Sequence, residues 1–569
     1  VLNLAWMWKC RGEGRAFHRA TGAVAPTQSA VLADIIARNQ STDFALRHQF
    51  DRVTSPHDFQ RRVPLSGYDD YAASIQAIAT GATNVLTRER VRLFEPTSGT
   101  TRGEKLIPYT RSLAREFQRG ISAWIADLMQ KRPAVRRGRA YWSISPALGP
   151  PRQTAAGIPI GFDDDTAYLG HVERLAAGRL IVAPPPLHPS PHLDNFRYAT
   201  LRCLLEADDL ALISVWSPTF LTALLAPLDQ WAERIVHDLR HGTLSLPCGE
   251  ASKTSRPPGR TAARARLADR LASIFDNTAP LSEKLRRLWP RLALISCWTD
   301  AAAAAYVPDL CRLFPHVEIQ PKGLIATEAC VSFPLVDRDG AALALRSHFF
   351  EFAELSGSEP GAAAGPVRLA HELEVGGRYA VVVTTSGGLY RYQLNDVVEV
   401  VGFERACPRL RFVGKGDRVS DLVGEKLAEP HVHDVLDRVF SACGIAPQFS
   451  LVVPVAGRPP HYRLYLQAND SRLVEPLADV ASAVQAALEE NPYYRHAVEL
   501  GQLAPLDVRH LDGSGESAWR IFERRSVAGG QKPGDVKPAA LDARPGWPEE
   551  FAPLVVFSQH EVIAESQKK

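Results

Sequence analysis

The apolar residues change their spacing along this chain, and that change excludes a fold built from one kind of element. Between 111 and 131, Leu113, Phe117, Ile121, Trp124, Ile125 and Leu128 form one stripe at helical spacing. Thr110, immediately before them, is the expected N-cap. Residues 1–60 also read as helical, with Val31, Leu32, Ile35 and Ile36 on one face. From 379 onward the period shortens. YAVVVTT, LYRYQL and VVEVVGF, interrupted by SGG, predict a β-meander. Beyond RFVGKGDR, helix and strand patterns alternate again and include FSLVVPV and HYRLYLQ. DAAAAAYVPDL (300–310) predicts a short helix that stops near Pro308, and LPCGEASKTSRPPGR (246–260) an exposed loop. The expected class is α/β. A hinge near Gly414–Asp417 would divide the chain into a large N-terminal part, 1–414, and a smaller C-terminal part, 415–569.

Composition narrows the function classes. Apolar residues make up 45% and charged residues 23%, enough apolar surface to offset the entropy of ordering. The net charge is only +3, without the basic excess of a nucleic-acid binder. Lysines number 12 against 54 arginines, which makes each lysine more informative. The eight cysteines form no C-x-x-C pair, as expected of free thiols in a reducing compartment, the cytoplasm. No apolar run is long enough to span a bilayer. VLNLAWMW at the start is apolar but is followed by charge without an A-x-A-like site, so it is not read as a signal peptide. H-E-x-x-H, G-x-S-x-G and G-x-G-x-x-G do not occur in the contexts that would give them meaning. His431 and His433 lack the further ligands that a metal site needs.

The most informative stretch is Thr97-Ser98-Gly99-Thr100-Thr101-Arg102-Gly103-Glu104-Lys105. Glycines let backbone N–H groups approach an anion, and hydroxyls and a lysine add donors. Placed between a strand and a helix, this string predicts a polyphosphate-binding loop, although it is not a Walker A sequence.

FEPTSGTTRGEKLIPYT resembles the phosphate loop of adenylate-forming enzymes. It is most similar to that of the acyl-acid amido synthetases of the Gretchen Hagen 3 family, known in plants as auxin-responsive proteins and present in bacteria. The similarity runs nearly end to end. It takes in DFQRRVPLSGYDDY, LWPRLALISCWTD, GLIATEAC, HFFEFAEL, VVVTTSGGLYRYQLNDVVEVVGF and NPYYRHAVELGQLAPLDVRHL, in order. It implies an adenylate-forming fold: a large domain of sheets flanked by helices with a β-barrel-like part, and a small mobile α+β domain.

The resemblance also implies roles. Thr97, Ser98, Gly99, Thr100, Thr101 and Lys105 would hold nucleotide phosphates. Thr327-Glu328 matches the Thr/Ser-Glu motif, whose glutamate holds Mg²⁺, a hard cation that suits carboxylate and phosphate oxygens. Leu324 stands where the superfamily often has an aromatic residue against adenine. Asp396 would meet the ribose hydroxyls, with Asn395 where glycine is usual. Lys415 occupies a hinge position that is often arginine, and it would also contact the nucleotide. In GGQKPGDVKPAAL, Lys537 fits the catalytic lysine best and Lys532 competes with it. Arg115 and Arg119, on the helix after the loop, are candidates for the acid's carboxylate. The implied activity is ATP-dependent adenylation of a carboxylic acid, followed by acyl transfer to an amine, an amino acid by preference. Two alternatives stay open: a thiol acceptor (coenzyme A or a carrier arm), and a catalytically silent nucleotide-binding regulator. Neither a nucleic-acid nor a membrane partner is expected.

Overall fold

The structure is a computed structural model. It describes residues 2–98, 104–142, 152–161, 180–184, 192–248, 261–355, 365–416, 419–420, 422–423, 425, 427–468, 477–499, 501–512, 517–529, 531 and 534–558. Gly99, Thr100, Thr101, Arg102, Gly103, Asp417, Lys532 and residues 249–260 of the expected loop lie outside that set.

Two sheets position the site. The first has five parallel strands in the order Ile181–Val182, Arg139–Trp142, Leu210–Ser214, Leu294–Cys297, Glu318–Pro321. Leu210–Ser214 and Leu294–Cys297 are buried throughout, as a parallel sheet covered on both faces requires. Helices Leu193–Leu205, Pro218–Leu225, Leu228–His241 and Ala262–Phe275 contribute to the apolar cluster around it. From Arg139–Trp142 the chain goes first to one neighbour and then returns to Leu210–Ser214 on the other side. Such a switch opens a crevice at the carboxyl ends of the strands.

The second sheet has seven antiparallel strands. Its pairing order runs from Ser332–Pro334 at one end to Val367–Leu369 at the other. The long helix Arg111–Lys131 shares one apolar core with this sheet and with the N-terminal helices Leu2–Ala20 and Val24–Asn39. Thr110 caps that helix as expected, accepting the Leu113 N–H at 3.1 Å. From Leu427 onward the buried apolar residues form two separate clusters, around the sheet of Phe449–Val455, His461–Gln467, Ala504–Leu511 and Val555–Ser558. Among the described residues, no helix is long and apolar enough to cross a membrane.

Three expectations need correction. The hydroxyl-rich stretch joins two antiparallel strands, Leu93–Ser98 and Glu104–Tyr109, and the helix starts only at Arg111. Ile107 and Tyr109 are buried, so the segment after the loop pairs as a strand before it can turn into helix. The expectation for 300–310 holds only in part: a short 3-10 helix, Ala301–Tyr306, does end near Pro308, but Pro308 itself stands in the first turn of a following helix, Val307–Leu313, where a missing N–H costs nothing. Lastly, LYRYQL and VVEVVGF are not separate strands. Arg391 is left-handed (φ 47°), its guanidinium bonded to Glu351 and to the carbonyls of Gln60 and Val63. One strand, Tyr392–Glu404, follows it, and Cys407–Lys415 completes the meander.

Candidate active site

The glutamate of GLIATEAC is held on a tight turn. Ile325 bridges Cys330, and the Ala326 N–H donates to the Ala329 carbonyl at 2.9 Å, leaving Thr327 and Glu328 at the tip. The Leu324 N–H donates to Ser332 Oγ at 3.0 Å, and the Leu324 carbonyl accepts from Val331 and Ser332. The Tyr109 hydroxyl donates to the Thr327 carbonyl, which ties the turn to the end of the hairpin formed by Leu93–Ser98 and Glu104–Tyr109. Gly323 enters the turn at φ +77°, and a Cβ there would stand 2.5 Å from the Ser332 carbonyl oxygen. Only glycine meets both demands.

Asp396 is aimed by an irregularity in its strand. Ala380 and Val382, two apart, oppose Val397 and Gln393, four apart, so Leu394–Asp396 bulge out of the ladder. Asn395 sits within the bulge at φ 59°, a conformation that asparagine tolerates better than most residues. Asp396 also pairs in register with Lys415 on the next strand. Lys415 Nζ lies 2.9 Å from Asp396 Oδ1 and donates to the Leu394 carbonyl at 3.2 Å. The aspartate side of this ion pair is only 2% exposed, so Lys415 is the counter-charge that accompanies Asp396 out of water.

Burial pushes the Glu328 carboxyl above its ordinary range, opposed by the charges of Lys415 and Lys105 and reinforced by that of Asp396. Those mutual effects bring four sequence-predicted residues together: Lys105, Glu328, Asp396 and Lys415. Lys105 faces Thr97 across the hairpin, and its Nζ stands 5.7 Å from the Tyr68 ring centroid. Ser98 pairs with Glu104 at the last described position of the hairpin.

A cavity opens beside this group. Trp298, Thr299, Asp300 and Lys322–Ile325 line it from the parallel-sheet side. Phe412–Lys415 close it from the antiparallel sheet, and Glu429, His433, Lys537 and Pro538 from the C-terminal part. Lys537 reaches in from the tail, with its Nζ 4.7 Å from the Trp298 ring centroid. The other candidates sit elsewhere. Arg115 is exposed, and Arg119 donates to the Arg346 carbonyl at 3.0 Å; neither lines the cavity. Lys322 is a cavity residue that the motifs did not single out, and His433, weighed in the sequence only as a metal ligand, is another cavity residue. For Lys322 the signal was present in its rarity: it is one of 12 lysines and stands six residues before Glu328.

Comparison with known proteins identifies the family. The GH3 family N-terminal domain matches residues 14–319, its central domain 341–415 and its C-terminal domain 431–542. The chain belongs to the GH3 family. It is 26% identical over 521 residues to the probable indole-3-acetic acid-amido synthetase GH3.2 of Oryza sativa subsp. japonica, covering 85% of this chain and 83% of that one. It is equally identical, over 535 residues, to the indole-3-acetic acid-amido synthetase GH3.15 of Arabidopsis thaliana, covering 86% of each. Among solved structures, GH3.15 acyl acid amido synthetase superposes with a TM-score of 0.80 at 20% identity, covering 96% of both chains. AtGH3.15 in complex with 2,4-DB gives 0.82 at 19%, covering 97% of both. The GH3 fold is therefore this chain's fold, and the three matched domains fall either side of the cavity.

Proposed function

We propose that this GH3 chain is an ATP-dependent ligase that adenylates a carboxylic acid and passes the acyl group to an amino acid, forming an amide. The observation that carries the reading is Lys537: a tail lysine enters the cavity that also holds Leu324 and Lys415, next to Glu328 and Asp396. Four motifs thus contribute to one place beside the carboxyl edge of the parallel sheet. The machinery divides between residues 1–414 and a smaller part, 415–569, that brings the lysine.

In the first step the acid's carboxylate attacks the α-phosphorus of ATP, giving acyl-adenylate and pyrophosphate. Thr97, Ser98, the 99–101 segment, Thr327 and Lys105 contact phosphates. Asp396, paired with Lys415, accepts from the ribose hydroxyls. Lys537 neutralises charge building on the phosphoryl oxygens. Glu328 suits Mg²⁺, because a hard dication would favour the ionised form that burial alone disfavours; held there with phosphate and water oxygens, it would offset phosphate charge. In the second step the amine attacks the acyl carbonyl and AMP leaves. A free carboxylate is a poor electrophile, whereas AMP is a good leaving group.

Acid-dependent exchange of labelled pyrophosphate into ATP tests the first step across a panel of acids. Lys537→Ala should reduce exchange about 10²-fold, the equivalent of ~3 kcal/mol of lost charge stabilisation. Near-normal exchange in the variant would move the role to Lys532. Supplying an amino acid or coenzyme A separately tests the second step, and thioester without amide would reassign the acceptor.

A further inference from the structure

Among the cavity's ionisable residues that have no part in the chemistry above, Lys322 is the lysine. Lys322 follows the parallel strand Glu318–Pro321 and is 4% exposed. Its Nζ donates to Ser214 Oγ at 2.6 Å and stands 5.0 Å from the Trp216 ring centroid and 5.9 Å from that of Trp124. No carboxylate among the described residues forms an ion pair with it. Trp216 in turn lies against Trp298, with centroids 5.5 Å apart at 36°. Lys537 stands over Trp298. Two lysines therefore attend the two members of one tryptophan pair, and both line the same cavity.

A buried ammonium without a counter-charge is costly, and ring faces and one hydroxyl offset only part of that cost. A ligand anion would complete the set. Ser214, Trp216, Trp298 and Lys322 all lie at the carboxyl ends of parallel strands, where such sheets take their ligands.

We propose that Lys322 determines which acids are used, by binding a second anionic group of an acid whose reacting carboxylate lies towards Lys537. The inference rests on the ligase reading for the position of the reacting carboxylate. It names the substrate class as acids with two anionic groups, with the Trp216–Trp298 pair alongside the carbon skeleton. Burial draws the Lys322 amine down to about 7, so an arriving anion would also secure its proton.

The test compares matched probes: phenylacetate against 4-carboxyphenylacetate, and hexanoate against adipate. Pyrophosphate exchange gives kcat/KM for each, and tryptophan fluorescence titration gives the affinity of each for the protein without ATP. The wild-type chain should favour the diacid of at least one pair by about 10-fold or more, and Lys322→Met should abolish that preference. A wild-type chain with no diacid preference in either measurement overturns the proposal, and that result does not depend on the variant's folding. Equal losses for the monoacid and the diacid in Lys322→Met overturn it too, because they would mean that the lysine holds the reacting carboxylate or the fold. Should exchange be absent with all four acids while fluorescence shows diacid preference that requires Lys322, the ligase reading fails and the binding site stands.

Discussion

A lysine in a dry place leaves a signature in stability as well as in specificity. The unfolded chain holds the Lys322 proton up to an ordinary value of 10.5, whereas the folded chain gives it up near 7, because burial penalises the charge. Between those values the unfolded state binds more protons, so this residue's contribution makes stability rise with pH across that window. Below pH 7 both states are protonated and the full cost is present, at most roughly 5 kcal/mol at ~1.4 kcal/mol per pKa unit. Lys322→Met should therefore raise the melting temperature, most at and below pH 7 and progressively less towards pH 10. Loss of the Ser214 hydrogen bond offsets part of the gain. Thermal unfolding of both proteins across that range is the check, and a gain that grows with pH would show that the lysine is not held in its neutral form. A residue retained at such a cost belongs to a ligand rather than to the core. The buried Cys297 thiol nearby, pushed up to about 12, is common to both proteins, so to a first approximation its own linkage cancels from the difference.

At the scale of elements, Asp396 depends on a bulge, and the bulge depends on Asn395 adopting φ 59°. Glycine accepts that conformation and a β-branched residue resists it. Asn395→Gly should change stability by less than ~1 kcal/mol and leave the KM for ATP close to that of the parent. Asn395→Val should cost about 1–2 kcal/mol and raise the KM for ATP, because relief of the strain re-aims the neighbouring carboxylate. Chemical denaturation and exchange kinetics read the two effects separately; equal behaviour of the two variants would detach Asp396 from the bulge. Asn395 was legible beforehand as a glycine substitute, and Thr110 as a cap, because both rest on local backbone chemistry. The strand boundaries were not. What ends the meander's second segment is Arg391, turned left-handed and anchored to Glu351, a partner 40 residues away. Pro308 was read only in part for a related reason: proline both starts and ends helices, and here one short helix ends before it and another begins around it.

At the scale of the molecule, the α/β class and the identity of the motifs were legible because each motif is short and contiguous. Their meeting place was not, since Trp124, Trp216, Trp298 and Lys322 come from separate elements and no periodicity links them. Arg115 and Arg119 were chosen by position along a helix, and neither lines that cavity. The same holds for what keeps the C-terminal part against the rest. Arg197, on helix Leu193–Leu205, pairs with Glu523, on helix Ala518–Ala528, at 2.5 Å, with both side chains buried (6% and 4% exposed). Asp194 also reaches Arg197, at 3.2 Å, and the Tyr306 and Trp519 rings stand 5.8 Å apart across the same junction. Burial pushes the Glu523 carboxyl up and Arg197 opposes it, so the pair is held by partnership rather than by solvent. Removing one member of such a pair strands the other charge, whereas replacing both with apolar groups is often neutral or better. Glu523→Gln should therefore lower unfolding stability by about 3 kcal/mol, less whatever Asp194 recovers, and Arg197→Met/Glu523→Leu should regain most of the loss. Because the C-terminal part carries Lys537 to Trp298, pyrophosphate exchange should fall in the single variant and return in the double one. Urea denaturation and exchange measured on the same three proteins decide the matter: stability restored without exchange would mean that the junction holds the fold but does not place the lysine.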